Sequence, residues 1–241
     1  MGVIRPPWVS KDWFTKCPFN YCDHFGDQEL LATVCKVCRQ ELERIEKYKR
    51  EGKDPHDLKN VFNDVGENLA NALAMVAKQA GEMGIDLENL PDPPESPQYE
   101  NYPIFNTVNK YGKTIEKTIN ALREIPIDAD TEVVIKAAKA LTHSRHYIIA
   151  KIGRAVHSKW DEKQDPSDEL DDSKTSAFLA YIAIERNSRA LLSLAKHQPL
   201  AYLKEKHLKL AHTSLKLCEA IAEDFFPKDN LVYEEFGYVE Y

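Results

Sequence analysis

Glycine is scarce in this sequence, with 9 residues among 241, and that scarcity argues against an all-β fold built on many tight turns. Long apolar runs are also missing. The longest uncharged apolar stretch near the middle of the chain, residues 175–184, has about half of the ~20 residues that a membrane-spanning helix needs. The amino terminus has no apolar signal region. From these absences we expect a cytoplasmic protein, in which thiols normally stay reduced.

Basic charge is not in excess either. The chain has 32 Lys and Arg residues against 39 Asp and Glu residues, which gives a formal net charge of -7. A general nucleic-acid binder needs a basic excess to neutralise phosphates, so we do not expect nucleic acid as a partner. We do not expect a membrane as a partner either, because the chain lacks a long apolar run. A phosphate-binding glycine loop, a nucleophile elbow and a His-Glu-x-x-His motif are all missing, which favours a non-enzymatic role.

Helix start and stop signals are what the sequence does have. Asp54 followed by Pro55 is typical of a helix start, and Gly84 of a left-handed helix end. Between them, apolar residues recur every three or four positions, which predicts one buried helix face. This face consists of Val61, Val65, Leu69, Ala72, Leu73, Val76 and Ala80. An earlier helix is expected over residues 27–50, and the two helices should form a hairpin.

A proline-rich segment, residues 91–97, is the clearest break in the chain, because proline at that density cannot stay helical. Helical patterns resume over about 104–124, 130–158, 173–197 and 199–225. The sequence therefore predicts an all-α protein in which an up-and-down helical bundle follows a cysteine-rich helical hairpin. The expected divisions are a cysteine-bearing hairpin over 1–90, a Pro-rich linker over 91–103, the bundle over 104–226 and an aromatic acidic tail over 227–241.

Four of the five cysteines, Cys17, Cys22, Cys35 and Cys38, lie close together in the sequence. Two thiolates three residues apart on a helix share one face, and the proline-containing loop around the first pair can fold back toward them. Four thiolates match the soft, tetrahedral ligand set of a structural zinc ion. We therefore expect a zinc site formed by these four cysteines, in which His24 could replace one of them.

Two other interpretations of this cluster stay open. One is an iron–sulfur or redox role, although the Cys-x-x-Cys pair lacks the third close cysteine of ferredoxin-type sequences. The other is a set of unligated thiols near a core. The fifth cysteine, Cys218, lies among apolar residues and is interpreted as a small core residue.

Charged groups inside the predicted bundle indicate a second candidate site. The helix over 173–197 is apolar around its whole circumference, which predicts a central position and puts Glu185 in an apolar surround. A buried Glu185 needs a partner, which we expect to be an Arg or His of a neighbouring helix. The functional alternative is a polar pocket lined by Glu185, Arg189, His146 and Arg154.

Residues 28–90 combine a helix, a short loop and a second helix that runs into Gly84-Ile85-Asp86-Leu87-Glu88. In this arrangement they resemble the MazG-like all-α nucleotide pyrophosphohydrolases. The resemblance implies Mg²⁺ ligands in a Glu-Glu-x-x-Glu set on the first helix and a Glu-x-x-Asp pair on the second. Here the second pair falls on amides, and the carboxylates of the first helix are off the pattern. The residues concerned are Asn68, Asn71, Glu41, Glu43 and Glu46. Since amides lack the charge that attracts a hard dication, we expect the hydrolase chemistry to have been lost.

Aromatic residues crowd both ends of the chain. They are Trp8, Trp13, Phe14 and Phe19 at one end, and Phe225, Phe226, Tyr233, Phe236, Tyr238 and Tyr241 at the other. They either pack on their own bundle or dock on a protein partner or a second copy. The sequence as a whole favours a non-enzymatic helical subunit or adaptor with a structural metal site. A metal-dependent hydrolase of phosphorylated small molecules and a redox protein are the alternatives.

Overall fold

A computed structural model describes residues 5–14, 20, 22–26, 28–90, 95, 97–125, 132–164 and 172–231. These residues form α-helices joined by turns and short 3-10 segments, with no strand among them, which confirms the all-α prediction. The helices are α1 (Gln28–Ala32), α2 (Lys36–Arg50), α3 (Leu58–Met83), α4 (Pro103–Arg123), α5 (Glu132–Gln164), α6 (Ser173–Lys196) and α7 (Lys204–Phe225). Within the described ranges, no helix combines the length and apolarity needed to cross a bilayer.

The chain divides into two compact units. Unit 1 comprises Met1–Cys38 together with Pro97–Tyr241, and unit 2 comprises Arg39–Ser96. The segment before residue 39, which was predicted to belong to a hairpin over 1–90, lies in the same unit as the bundle. Its aromatic rings and the Asp23 carboxylate bind bundle helices over large sequence separations.

Helices α4 to α7 form the bundle of unit 1. Each of them packs on the next, and α7 also contacts α4. As the residue number of the contacting residues increases along one helix, it decreases along the next helix. Consecutive helices are therefore antiparallel, and the bundle runs up and down. For α5 and α4 the contacts are Arg145 with Glu116 and Gly153 with Phe105. For α5 and the start of α6 they are Ser144 with Asn187 and Arg154 with Asp172. For α6 and α7 they are Ser188 with Ala211 and Tyr181 with Cys218.

Helix α6 lies at the centre of the bundle, as its circumferential apolar pattern predicted. Most of its residues between Ser173 and Ala195 are buried, including small residues that let neighbouring helices approach closely. Its partners α4, α5 and α7 each present one apolar face, which follows from their helical periodicity. Cys218 of α7 is a buried core residue with its Sγ 3.7 Å from the Tyr181 carbonyl oxygen.

A buried chain of hydrogen bonds links all four bundle helices. The Ser144 hydroxyl of α5 donates to Oδ1 of Asn187 on α6 at 2.7 Å, and Nδ2 of Asn187 donates to the Tyr111 hydroxyl of α4 at 3.2 Å. The Tyr111 and Ser214 hydroxyls, on α4 and α7, share a hydrogen bond of 2.8 Å. Because a buried polar group without a partner is costly, this hydrogen-bond network favours one rotation of each helix about its axis.

The N-terminal aromatic residues pack on their own bundle. Trp8 and Phe14 are buried, and the Trp13 ring lies 5.2 Å from the Phe178 ring and 5.0 Å from the Phe226 ring. Of the two alternatives for the termini, self-packing therefore holds for these residues and for Phe225 and Phe226. Phe19, Tyr233, Phe236, Tyr238 and Tyr241 lie outside the described residues.

The structure differs from the predicted N-terminal hairpin in three ways. The helix expected over 27–50 is two helices, broken between Ala32 and Lys36. Helix α3 starts at Leu58 rather than at Pro55, because the Asp57 carboxylate caps it by accepting from the Lys59 N–H at 2.8 Å. The apolar face of α3 is exposed along most of its length, so its predicted burial is wrong except at Ala80. Gly84 ends α3 in the left-handed conformation (φ 69°), as predicted.

Contacts between α2 and α3 are confined to the first turns of α3. The Arg44 guanidinium donates to both Glu41 carboxylate oxygens at 2.8 Å and to Asp64 at 3.2 Å. The Tyr48 hydroxyl donates to the other Asp64 oxygen at 2.8 Å. These polar contacts hold the start of α3 against α2 and leave the rest of the helix without support from α2.

The Asn187 network gives a stability prediction. Replacing Asn187 with Ala removes both an acceptor for Ser144 and a donor for Tyr111, so we expect a loss of about 1–3 kcal/mol in the free energy of unfolding. Urea denaturation followed by circular dichroism measures it. Thr114→Ala, on the exposed side of α4, is the control and should change stability by about 0.5 kcal/mol or less. Equal effects of the two substitutions would contradict the structural role of the network.

Candidate metal centre

Two short segments of unit 1 bring sulfur and nitrogen ligands together. Cys22 and His24 lie in the loop before α1, Cys35 directly precedes α2, and Cys38 lies in the first turn of α2. The break between α1 and α2, which the sequence did not predict, puts Cys35 at this position. Cys17, the remaining predicted ligand, lies outside the described residues.

The ligand atoms of Cys22, His24 and Cys35 lie within 4.8 Å of one another, so this group could hold a metal ion. Cys35 Sγ is 3.7 Å from Nε2 of His24. In a tetrahedral zinc site with Zn–S and Zn–N bonds of about 2.3 and 2.1 Å, a sulfur and a nitrogen ligand lie about 3.6 Å apart. The observed separation therefore matches one edge of such a site. His24, the predicted substitute for one cysteine, is part of the group.

Cys38 adjoins this group. Its thiol is buried and close enough to Cys35 and Cys22 for both to affect its pKa, although its Sγ is not among the ligand atoms that lie within 4.8 Å of one another. Leu31 and Val34 pack beside the three cysteines and exclude water from the sulfur atoms. With Cys38 included, the group offers three sulfur ligands and one nitrogen ligand from residues in the described part of the chain.

The backbone around the ligands places N–H donors that stabilise deprotonated cysteine sulfur. His24 adopts a left-handed conformation with φ 61°, which few non-glycine residues adopt and which is found most often at functional positions. Its N–H donates to the Cys22 sulfur, and the Cys38 N–H donates to the Cys35 sulfur. Since these N–H groups and the start of α2 carry partial positive charge, they stabilise thiolates at these positions.

The titration behaviour of the group is asymmetric. Hydrogen bonds from Cys22 and then from His24 hold the pKa of the Cys35 thiol at about 3, against the desolvation that burial imposes. The reciprocal hydrogen bond to Cys35 raises the pKa of Cys22, and burial raises the pKa of Cys38 to about 12. The hydrogen bond with Cys35 also raises the pKa of His24. The Cys35 thiolate and the neighbouring His24 imidazole thus stabilise each other's charged form.

Asp23, between the two ligands of the loop, fixes this site to the bundle. Its carboxylate forms an ion pair with Arg186 of α6, and the two side chains are only 6% and 5% exposed. Its carbonyl oxygen accepts a hydrogen bond from Nε2 of His143 on α5 at 2.7 Å. The Phe25 ring packs 4.4 Å from the Arg186 guanidinium and 5.3 Å from the His143 ring. The candidate ligands are therefore held by the loop and by two bundle helices together.

Of the four residues assigned to the second predicted site, the polar pocket, Arg154 lies far from Glu185 along the bundle. Arg154 is exposed and pairs with Asp172 at the start of α6, and His146 is also exposed. Glu185 lies about 20 Å further along α6, at 1.5 Å per residue, where it is 3.5 Å from Arg189. Arg154 and Glu185 are therefore too far apart to line one pocket.

The predicted burial of Glu185 is also wrong. Its side chain is 32% exposed and pairs with Arg189 one turn later, whereas the buried charge on α6 is the next residue, Arg186. A helical position one residue away differs by about 100° in direction, so a small error in the direction of the helix face exchanges the two. The signal that could have identified Arg186 was Asp23, an acidic residue between two candidate ligands in an apolar surround.

These two ion pairs give a matched prediction. Asp23→Ala leaves the buried Arg186 without its carboxylate and should lower the free energy of unfolding by about 3–5 kcal/mol. Glu185→Ala removes a partly exposed pair within one helix and should cost less than about 1 kcal/mol. Denaturant unfolding of both variants measures the difference. A larger loss from Glu185→Ala than from Asp23→Ala would contradict this assignment of the buried charge.

The arrangement as a whole is a buried group of three thiols and an imidazole, anchored to the bundle by an ion pair. Its chemistry is that of a soft-metal or thiol site, because sulfur and imidazole are soft or intermediate ligands. Comparison of the chain with protein-family models, with curated proteins and with solved structures finds no match.

Proposed function

We propose that this protein is a non-enzymatic helical adaptor whose N-terminal segment is held on the bundle by a structural zinc ion. The ligands are Cys22, His24, Cys35 and Cys38. The observation that carries the proposal is the 3.7 Å separation of Cys35 Sγ and His24 Nε2, with Cys22 in the same group. A set of four protein ligands leaves no coordination position for a substrate, which is typical of structural rather than catalytic zinc.

The surroundings of the ligands support a structural role. Asp23 lies between two ligands and pairs with Arg186, so an ion that orders this loop also places the Asp23 carboxylate. The energy of metal binding at such a site is folding energy, because the unfolded chain does not hold the ligands together. The zinc ion would thus stabilise the docking of residues 20–38 on α5 and α6.

The charges in unit 2 weigh against the hydrolase alternative. The Glu41 carboxylate of α2 and the Asp64 carboxylate of α3 both accept hydrogen bonds from Arg44. The guanidinium lowers the pKa of Glu41 and supplies the positive charge that a Mg²⁺ ion would otherwise supply. Asn68 and Asn71, further along α3, are exposed amides. The adaptor proposal therefore takes precedence over a MazG-like phosphohydrolase.

Metal content and stability test the zinc proposal together. The purified protein should contain about one zinc ion per chain, and Cys35→Ser should release it. The thermal midpoint should fall by about 6–12 °C, which corresponds to roughly 3 kcal/mol for a chain of this size. Elemental analysis and differential scanning calorimetry of the same sample measure both quantities.

Cys218→Ser is the control for this experiment. Cys218 is buried in the core far along the chain from the ligands, so its replacement should leave the zinc content unchanged even if stability falls. Visible absorption with iron in place of zinc would support the iron–sulfur alternative and contradict the zinc proposal. Metal-free wild-type protein with the stability of Cys35→Ser would contradict any structural metal.

The adaptor part of the proposal concerns the C-terminal segment, residues 232–241. This segment carries Glu234, Glu235 and Glu240, with aromatic residues between them and no basic residue. Its binding surface should be basic with an apolar floor. Unit 1 of a second copy would present a surface of this kind, a groove of about 500 Å³ between α4 and α7. Exposed lysines and buried apolar residues line it: Lys110, Lys206, Lys209, Lys216, Tyr111, Leu210 and Leu217.

A labelled peptide of residues 229–241 tests this docking. We expect it to bind the chain truncated after Leu231, measured by fluorescence anisotropy, and to bind more weakly as salt is added. Lys209→Glu should weaken binding about two- to fivefold, since an exposed charge pair contributes about 0.2–1 kcal/mol. A control peptide with the three glutamates replaced by glutamine should lose most of the salt dependence. Equal binding of both peptides at all salt concentrations would contradict the charge-guided docking.

A further inference from the structure

Helix α3 of unit 2 has an exposed apolar face. Side chains that are normally buried stand in solvent along the whole helix. Those more than half exposed are Leu58, Phe62, Val65, Leu69, Leu73, Met75 and Met83. Contiguous apolar patches of this kind mark association sites, because a monomer gains nothing from exposing them.

The apolar residues of α3 follow a seven-residue repeat rather than a general amphipathic pattern. Helical packing between two helices requires apolar residues at two positions of each repeat, separated alternately by four and three residues. The first position is occupied by Phe62, Leu69, Val76 and Met83, and the second by Leu58, Val65, Ala72 and Gln79. Only Gln79 is polar, so the pattern extends over more than three repeats, the length that is typical of a coiled coil.

Together these two sets of residues form an apolar stripe along α3. The positions that flank this stripe hold almost no charge. In a coiled coil they decide which partners are tolerated, since like charges there repel. In α3 they carry one charge at each end of the helix, Lys59 and Glu82, and are otherwise apolar, small or amide residues. Two copies of α3 can therefore approach each other without electrostatic repulsion along the stripe.

We propose that α3 pairs with α3 of a second copy of this chain as an antiparallel coiled coil. With Leu69 of each chain packed on Ala72 of the other, every layer of the stripe is filled. Leu58 then meets Met83, and Val65 meets Val76, each contact occurring twice by symmetry. The opposed helix dipoles also favour the antiparallel arrangement.

Residue sizes support this register. Leu69 faces Ala72, and on the flank Leu73 faces Gly66, so a large side chain meets a small one at the centre of the interface. A side chain built at Gly66 would meet no atom within 4 Å, so the space for Leu73 of the second copy is open. Alternation of large and small residues lets two helices approach closely and interdigitate.

The available area is sufficient for a stable dimer. If about 90 Å² of each of the seven α3 side chains that are more than half exposed were buried in both copies, the interface would cover roughly 1,300 Å², within the roughly 1,200–2,000 Å² of specific interfaces. The stripe is also long enough: 26 residues at 1.5 Å per residue extend over about 39 Å. We therefore expect a dimer of the full chain, with twice the mass of 27.6 kDa.

Charge substitution in one layer tests both the interface and its direction. Val65→Glu or Val76→Lys alone should weaken self-association about tenfold or more, because each puts a charge into the apolar stripe. The double variant Val65→Glu/Val76→Lys should restore the dimer, since the antiparallel register places each Glu opposite a Lys. In a parallel pair the double variant would place Glu against Glu and Lys against Lys. Sedimentation velocity over a concentration series measures the association.

Two controls separate loss of the interface from loss of folding. Ala74→Glu lies on the opposite side of α3 and should leave the dimer unchanged. Circular dichroism should show the same helix content for all variants, and a mixture of the two single variants should form a heterodimer. A wild-type chain that is monomeric at all concentrations would overturn the proposal. A dimer that Val65→Glu leaves intact would overturn the assignment of this face, and a double variant weaker than either single variant would overturn the antiparallel direction.

Discussion

The ion pair between Asp23 and Arg186 is the contact on which the arrangement of unit 1 depends. Both charges are almost completely buried, so each would be costly without the other. Arg186 is fixed by the central helix, and Asp23 is fixed by the loop that carries Cys22 and His24. The pair therefore couples the order of the cysteine group to the core of the bundle, with the Phe25 ring and His143 completing the contact.

The bundle could be predicted from the sequence because each of its helices carries a periodic apolar face and a recognisable start or end. The predicted ranges for α4, α6 and α7 differ from the observed ones by a few residues at most of their ends. The break before α2 could not be predicted in this way, since Leu30, Leu31 and Val34 continue a helical pattern across it. What breaks the helix is the position of Cys35 in the cysteine group, which is a tertiary effect.

The apolar stripe of α3 illustrates a different limit. Periodicity reports which face of a helix is apolar, and it does not report what covers that face. The predicted hairpin would cover this face with α2, but α2 uses Arg44 and Tyr48 to bind the first turns of α3. In the cysteine group, spacing predicted Cys22, Cys35 and Cys38 as neighbours, and it offered His24 only as a substitute. His24 reaches the other candidate ligands because its backbone is left-handed, which residue identity alone does not determine.

The sequence distances between partners have a consequence for the order of folding. Most contacts within the bundle join helices that follow one another in the chain, and such local contacts form quickly. Asp23 and Arg186 are 163 residues apart, so their pairing closes a long loop and gains its energy only after α5 and α6 are in place. The bundle should therefore form first, and the N-terminal segment should dock onto it as a late step. An ion bound by Cys22, His24 and Cys35 would then slow the release of this segment from the native protein more than it would speed folding of the bundle.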